Sequence, residues 1–184
     1  MGLVEKSKQL MYKQTLKNKA PSWILTELAV KKGEELAEKY KVDKKLVLIS
    51  LYLAHTVFSP IWKGKIQKNH PNLSSKFVKK YLDKWGVNKS DQEIILNSIE
   101  AHHAKVPTKS LIAEVVKNAE CFKFVTIKGS LIFLHDLGLR KIPFEEAVEK
   151  VIEKMNQKRR LLTLVECKKE AEKNCKEIVK LFKK

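Results

Sequence analysis

The stretch Leu46–Phe58 constrains this chain more than any other. Leu46, Val47, Leu48, Ile49, Leu51, Tyr52, Leu53, Ala54, Val57 and Phe58 leave a helix there apolar nearly all the way round. A surface helix shows one apolar stripe and a polar back, whereas a helix apolar on every side must be enclosed by other elements. The segment is too short to cross a bilayer. No window of the chain supplies the roughly 18 uninterrupted apolar residues that a span requires, and no membrane association is expected. The expectation is a central helix wrapped by others.

The flanking segments supply the wrapping. Pro21–Tyr40 places Leu25, Leu28, Ala29, Leu36, Ala37 and Tyr40 on one stripe, with Glu27, Lys31, Glu34 and Glu38 opposite. Asp43 stands where an N-cap would start the central helix at Lys44. Leu73–Trp85 is amphipathic and stops at Gly86, and Ser90 with Glu93 reads as a capping box opening a helix that runs to His103. Pro107 and Thr108 separate that helix from the next, over Lys109–Val125. Pro143 marks the first turn of another, and Val165–Lys184 reads as a lysine-rich amphipathic helix. Nothing reads as a strand ladder, so the expected fold is all-α. At 184 residues the chain suits a single domain, with a helical C-terminal extension over 144–184.

Charge and cysteine usage narrow the function classes. The net charge is +17, yet the arginines are only Arg140, Arg159 and Arg160. Arginine's planar fork is the better tool for phosphate and base-edge contacts, so the lysine excess reads as a solvated surface. Nucleic acid is not the favoured partner, while small anionic ligands would be attracted. Cys121, Cys167 and Cys175 lack CxxC spacing, which argues against both a disulfide framework and a thiolate zinc site. The first residues lack a secretory pattern, and a cytoplasmic location is expected.

Histidines carry the chemical signal. Four of the five, His55, His70, His102 and His103, fall at successive segment ends, and Glu120 follows on the next helix. His55 lies four residues beyond Leu51 and seven beyond Leu48, and so shares their buried side. His103 is four beyond Ile99, His102 is seven beyond Ile95, and Glu120 is four beyond Val116 and eight beyond Ile112. A carboxylate drawn inward is costly unless it meets a metal, a cation or several donors. Imidazoles and one carboxylate converging on a single hollow would suit a metal or phosphate site.

Over about Pro21–Lys128 the chain resembles the HD-domain superfamily of metal-dependent phosphohydrolases. The matching pieces are Val42–Leu48 leading into the central helix, His70-Pro71 before the next, Glu100-Ala101-His102-His103, and Val116-Lys117-Asn118-Ala119-Glu120. The resemblance implies an HD-like helical bundle as the core, 21–128, and a divalent ion: manganese, iron, nickel or zinc. His55, His70, His102, His103 and Glu120 would be its ligands or their orienters. His55, His102 and His103 would serve catalysis, and Lys63, Lys65 and Lys68 would neutralise the phosphate of a small substrate.

The chain departs from the family pattern at two places. Where the His-Asp dyad belongs it reads Leu53-Ala54-His55-Thr56, so either Thr56 replaces the aspartate or Ala54 and His55 replace both residues. The first-helix histidine is absent from Pro21–Lys41. A literal dyad, His135-Asp136, follows the closing acid instead of preceding it, and reads as a turn before Gly138. The alternative to hydrolysis is a catalytically silent HD scaffold that binds nucleotide or nucleic acid. A third reading is a structural partner acting through the 144–184 extension.

Overall fold

The central helix forms as expected and is enclosed as expected. The computed structural model describes residues 1–58 and 69–182, and among them all regular structure is helical. Asp43 caps the central helix, α3 (Lys44–Leu53), its carboxylate accepting from the Lys45 and Leu46 amides at 2.7 and 3.1 Å. Around α3 pack α1 (Leu3–Asn18), α2 (Trp23–Tyr40), α5 (Lys89–Ala101) and α6 (Leu111–Phe122), while α4 (His70–Lys84) lies against α5. The chain continues through α7 (Ile127–Leu139), α8 (Phe144–Leu161) and α9 (Val165–Phe182). No helix among the described residues is long and apolar enough to cross a membrane.

Two apolar clusters share α3 between them, as its all-round hydrophobicity demands. Val47 and Leu51 face α2 and α6 with Ala29, Leu36, Val115, Val116 and Ala119, whereas Ile49 and Leu53 face Val78, Leu82, Ile95 and Ile99. The C-terminal helices are not a detached appendage to this core. Met155 of α8 and Cys167, Ala171, Cys175 and Ile178 of α9 belong to the first cluster. All three cysteines are buried and free, in keeping with structural thiols.

Local boundaries differ from the sequence expectations where side chains or strained turns intervene. The central helix ends at Leu53, and tighter bonds from Thr56 N–H to Leu53 O and from Phe58 N–H to His55 O carry His55 just past its end. Asn88, not Ser90, caps α5, because its side-chain oxygen accepts from the Asp91 amide at 2.9 Å; Ser90 sits inside the first turn. Helix α4 starts at His70 with Pro71 in its first turn, three residues before the apolar periodicity begins. Gly86, at φ +72°, takes the left-handed conformation that releases the chain beyond α4. Helices α1 and α7 were not expected, and His135-Asp136 lies within α7 rather than in a turn. Ser59 and Pro60, read as the end of the central helix, lie outside the described residues.

The architecture therefore gathers several helix ends at one place. His55 just beyond α3, His70 at the start of α4, His102 capping α5 and Glu120 near the end of α6 all meet there. The short 3-10 turn Lys123–Val125 follows immediately, and α8 packs over it.

Candidate functional site

Three of the predicted ligands form one buried cluster. His55, His70 and His102 each offer a ring nitrogen, and the three atoms lie within 4.8 Å of one another. Their residues are 7%, 3% and 0% exposed. His103, half-buried, closes one side, its ring centroid 4.3 Å from that of His102 and 4.7 Å from that of His70. Glu120 joins through His55, whose Nε2 stands 2.7 Å from Glu120 Oε2. All five predicted metal-site residues are thus in or beside one cluster. Lys63, Lys65 and Lys68, predicted to bind phosphate, lie outside the described residues.

Hydrogen bonds fix the tautomers. A carbonyl oxygen can only accept, so the contact of 2.5 Å between His102 Nδ1 and Ile99 O places the proton on Nδ1 and leaves a lone pair on Nε2. His70 Nε2, 3.3 Å from that lone pair, is then the donor between them. A backbone carbonyl holding the far nitrogen of an imidazole is also the usual way a metal-binding histidine is oriented. At His55 the ionised Glu120 carboxylate accepts from Nε2, leaving the lone pair on Nδ1, which is buried without a hydrogen-bond partner.

Charge at the site has an unexpected source. Lys123 Nζ donates to Glu120 Oε2 at 2.6 Å and lies 3.4 Å from His55 Nε2, with both side chains of the ion pair 2% exposed. Burial alone would raise the Glu120 carboxyl, but the Lys123 ammonium and the His55 ring together hold it well below the usual carboxylate range. The imidazoles move the other way. Burial is the main cause for His55, His102 and His103, and for His102 and His103 neighbouring rings add to it, so all three are held below their ordinary value and stay neutral.

The resemblance implies a divalent ion, and the donor set fits one in part. Three imidazoles suit zinc, nickel, iron or manganese, and the orphaned acceptors His55 Nδ1 and Glu120 Oε1 are buried atoms that a cation would satisfy. The other carboxylate oxygen, Oε2, already neutralises a lysine. Lys123 went unnoticed in the sequence, although a signal existed, since it lies one helical turn after Glu120 on the same face.

His135 takes no part in the cluster. It is exposed, its side chain 70% accessible, and 3.8 Å from Asp136. Two surface hollows, one lined by Glu5, Tyr12 and Trp23 and the other by Arg159, Lys173 and Lys176, contain none of the histidines.

Helix order and site geometry define an all-α bundle of the HD type, and comparison with solved structures gives the same fold. The chain is similar to a Lactobacillus plantarum protein at 15% identity and a TM-score of 0.70, over 97% of this chain and 91% of the other. An HD-superfamily hydrolase from Bacillus thuringiensis matches at 15% identity and a TM-score of 0.68, over 97% and 92%. Bacillus subtilis YpgQ, solved in complex with ADP, matches at 13% identity and a TM-score of 0.66, over 98% and 93%. No family model and no curated protein sequence matches the chain. The chain has the HD-type helical fold, with a histidine cluster where its helix ends meet.

Proposed function

We propose that the chain is a divergent metal-dependent phosphohydrolase acting on a phosphate ester or nucleotide. The observation that carries this reading is the convergence of His55, His70 and His102 from three segments, their donor atoms within 4.8 Å. In this reading those three rings hold manganese, iron, nickel or zinc, with Glu120 Oε1 as the carboxylate arm and His103 at the rim. A divalent ion there supplies Lewis acidity toward a phosphoryl oxygen and toward water. The protein's own part is orientation and proton transfer. Ile99 O holds the His102 ring, Lys123 holds the Glu120 carboxylate, and His103, neutral and only half-buried, takes a proton from water. Residues 1–184 then act as one functional unit, because α8 borders the same region.

The ADP held by YpgQ, which shares the fold, supports a phosphate-bearing ligand for this chain as well. Elemental analysis of the purified protein, combined with a phosphate-release assay, tests the reading. About one bound transition ion per chain, lost together with phosphate release in His102→Ala, is the expected result. Metal-free protein with no metal-stimulated release overturns it.

One observation favours a second reading, the catalytically silent scaffold that binds nucleotide. Lys123 places a fixed positive charge on the carboxylate a metal would need. Under that reading ADP binds with an affinity that falls with salt and does not require metal.

A further inference from the structure

Behind the imidazoles lies a second cluster of charge that the sequence did not reveal. Lys123, Lys154 and Lys158 bring their Nζ atoms to 5.4, 5.3 and 6.0 Å from the centroid of one ring, Phe124. Lys123 comes from the 3-10 turn and the other two from successive turns of α8. Lys123 is paired with Glu120. Lys158 is 3% exposed, its Nζ keeping at most a narrow contact with solvent, yet among the described residues neither it nor the half-buried Lys154 makes a hydrogen bond or ion pair.

An ammonium withdrawn from water without a counter-charge is costly, and proteins rarely retain one unless a ligand supplies what is missing. Surface lysines do not behave this way. Lys79 on α4, Lys150 on α8 itself and Lys180 on α9 reach solvent and pair with Asp83, Glu146 and Glu177. Lys158 is held inward because it falls on the buried stripe of α8 with Ala147, Val151 and Met155.

We infer that Lys158, with Lys154 and Lys123, forms an anion seat for a phosphoryl group beside the histidine cluster. Three ammonium groups against the single carboxylate of Glu120 leave an excess of positive charge suited to a phosphate dianion. Phe124, which the three cations share, supplies the apolar wall that keeps water from screening them. Burial, followed by repulsion from Lys158 and then Lys123, brings the Lys154 ammonium down to about 8, and burial lowers Lys158 as well. A bound anion would reverse both shifts. The seat lies between the region of the HD resemblance and the C-terminal helices, giving α8 a functional role.

This inference deepens the phosphate-ligand reading and rests on it, but requires neither metal nor turnover. The test is calorimetric titration of the full chain with inorganic phosphate and with ADP, in chelator-containing buffer at low salt. Wild-type protein is expected to bind both. Lys158→Met should weaken each by about tenfold or more, while Lys150→Met, which removes a solvent-facing lysine from the same helix, should change neither. Lys158→Met should also melt no lower than wild type, because it replaces an unpaired buried charge with an apolar chain of similar length. Tighter binding of ADP than of phosphate identifies a nucleotide as the source of the phosphoryl group, and equal affinity identifies phosphate itself; both support the seat. Absence of phosphate and ADP binding, or equal losses in Lys150→Met and Lys158→Met, overturns it. Binding that depends on Lys158 in a protein that releases no phosphate would instead refute only the hydrolase reading.

Discussion

Histidine stands against a carboxylate at His55 with Glu120 and at His135 with Asp136, and the two pairs have little in common physically. His55 and Glu120 are 65 residues apart, meet at 2.7 Å and are 9% and 2% exposed at their side chains. His135 and Asp136 are adjacent in sequence, stand 3.8 Å apart and leave the imidazole 70% exposed. The second pair spells the motif, and the first has the environment. Withdrawal from water is what makes the difference. It holds the first pair's imidazole neutral and makes a missing partner costly, whereas in the second pair Asp136 is partly withdrawn, 16% exposed at its side chain, but the imidazole exchanges its contacts with solvent at little cost.

The largest test of this contrast is to remove one member of the buried network. Glu120→Gln leaves the Lys123 ammonium buried without its counter-charge and is expected to destabilise the protein by about 3–5 kcal/mol in urea or guanidinium unfolding. A loss below about 1 kcal/mol would put the pair on the same footing as a surface bridge.

Acid should expose the same contrast. His55, His102 and His103 have folded values below their ordinary 6.5, so below that pH the unfolded chain binds more protons than the native one. Their contribution to stability is present above about pH 6.5 and is lost as pH falls, by up to about 1.4 kcal/mol per pH unit for each group. Glu120, held low, adds to the loss below about pH 4.5. Denaturant midpoints of metal-free protein should fall steeply from about pH 7.5 to about pH 5, across the histidine range. In His102→Leu they should fall less.

Thr126 links the two places. Its hydroxyl oxygen accepts from the Gly129 amide at 3.0 Å, capping the helix that carries His135, and its hydroxyl donates to the Lys123 carbonyl at 3.0 Å. A Cβ at residue 129 would collide with that same carbonyl, so the turn is closely fitted around Lys123. Thr126→Ala should cost about 1 kcal/mol, with faster amide exchange at Lys123–Val125 as a second sign. The smallest effect is expected at the motif itself. Asp136→Asn should change stability by no more than about 0.5 kcal/mol and leave metal content unaltered.

Much of the site was legible because periodicity places residues on faces. Counting back to Leu51, Ile95 and Val116 was enough to turn His55, His102 and Glu120 inward, and the structure finds all three buried; the same count from Ile99 turned His103 inward, and it is half-buried. The same counting would have turned Lys158 inward, three residues beyond Met155 and seven beyond Val151, but lysine is normally read as surface. Helix α7 was missed for a related reason. Its His135, Asp136 and Gly138 look like turn residues, whereas its start is set by Thr126 and by packing against α8.

The sequence by itself determined that this chain would be helical, that Leu46–Leu53 would lie at its centre, and that most of its histidines would sit at inward helix ends. These follow from spacing along one helix, which each residue shares with near neighbours. Only the tertiary structure decided that His55 meets Glu120 and that Lys158 comes from α8 to the Phe124 ring beside Lys123. Such choices depend on which helix end meets which, and on how much water is excluded where they meet. No local pattern encodes either.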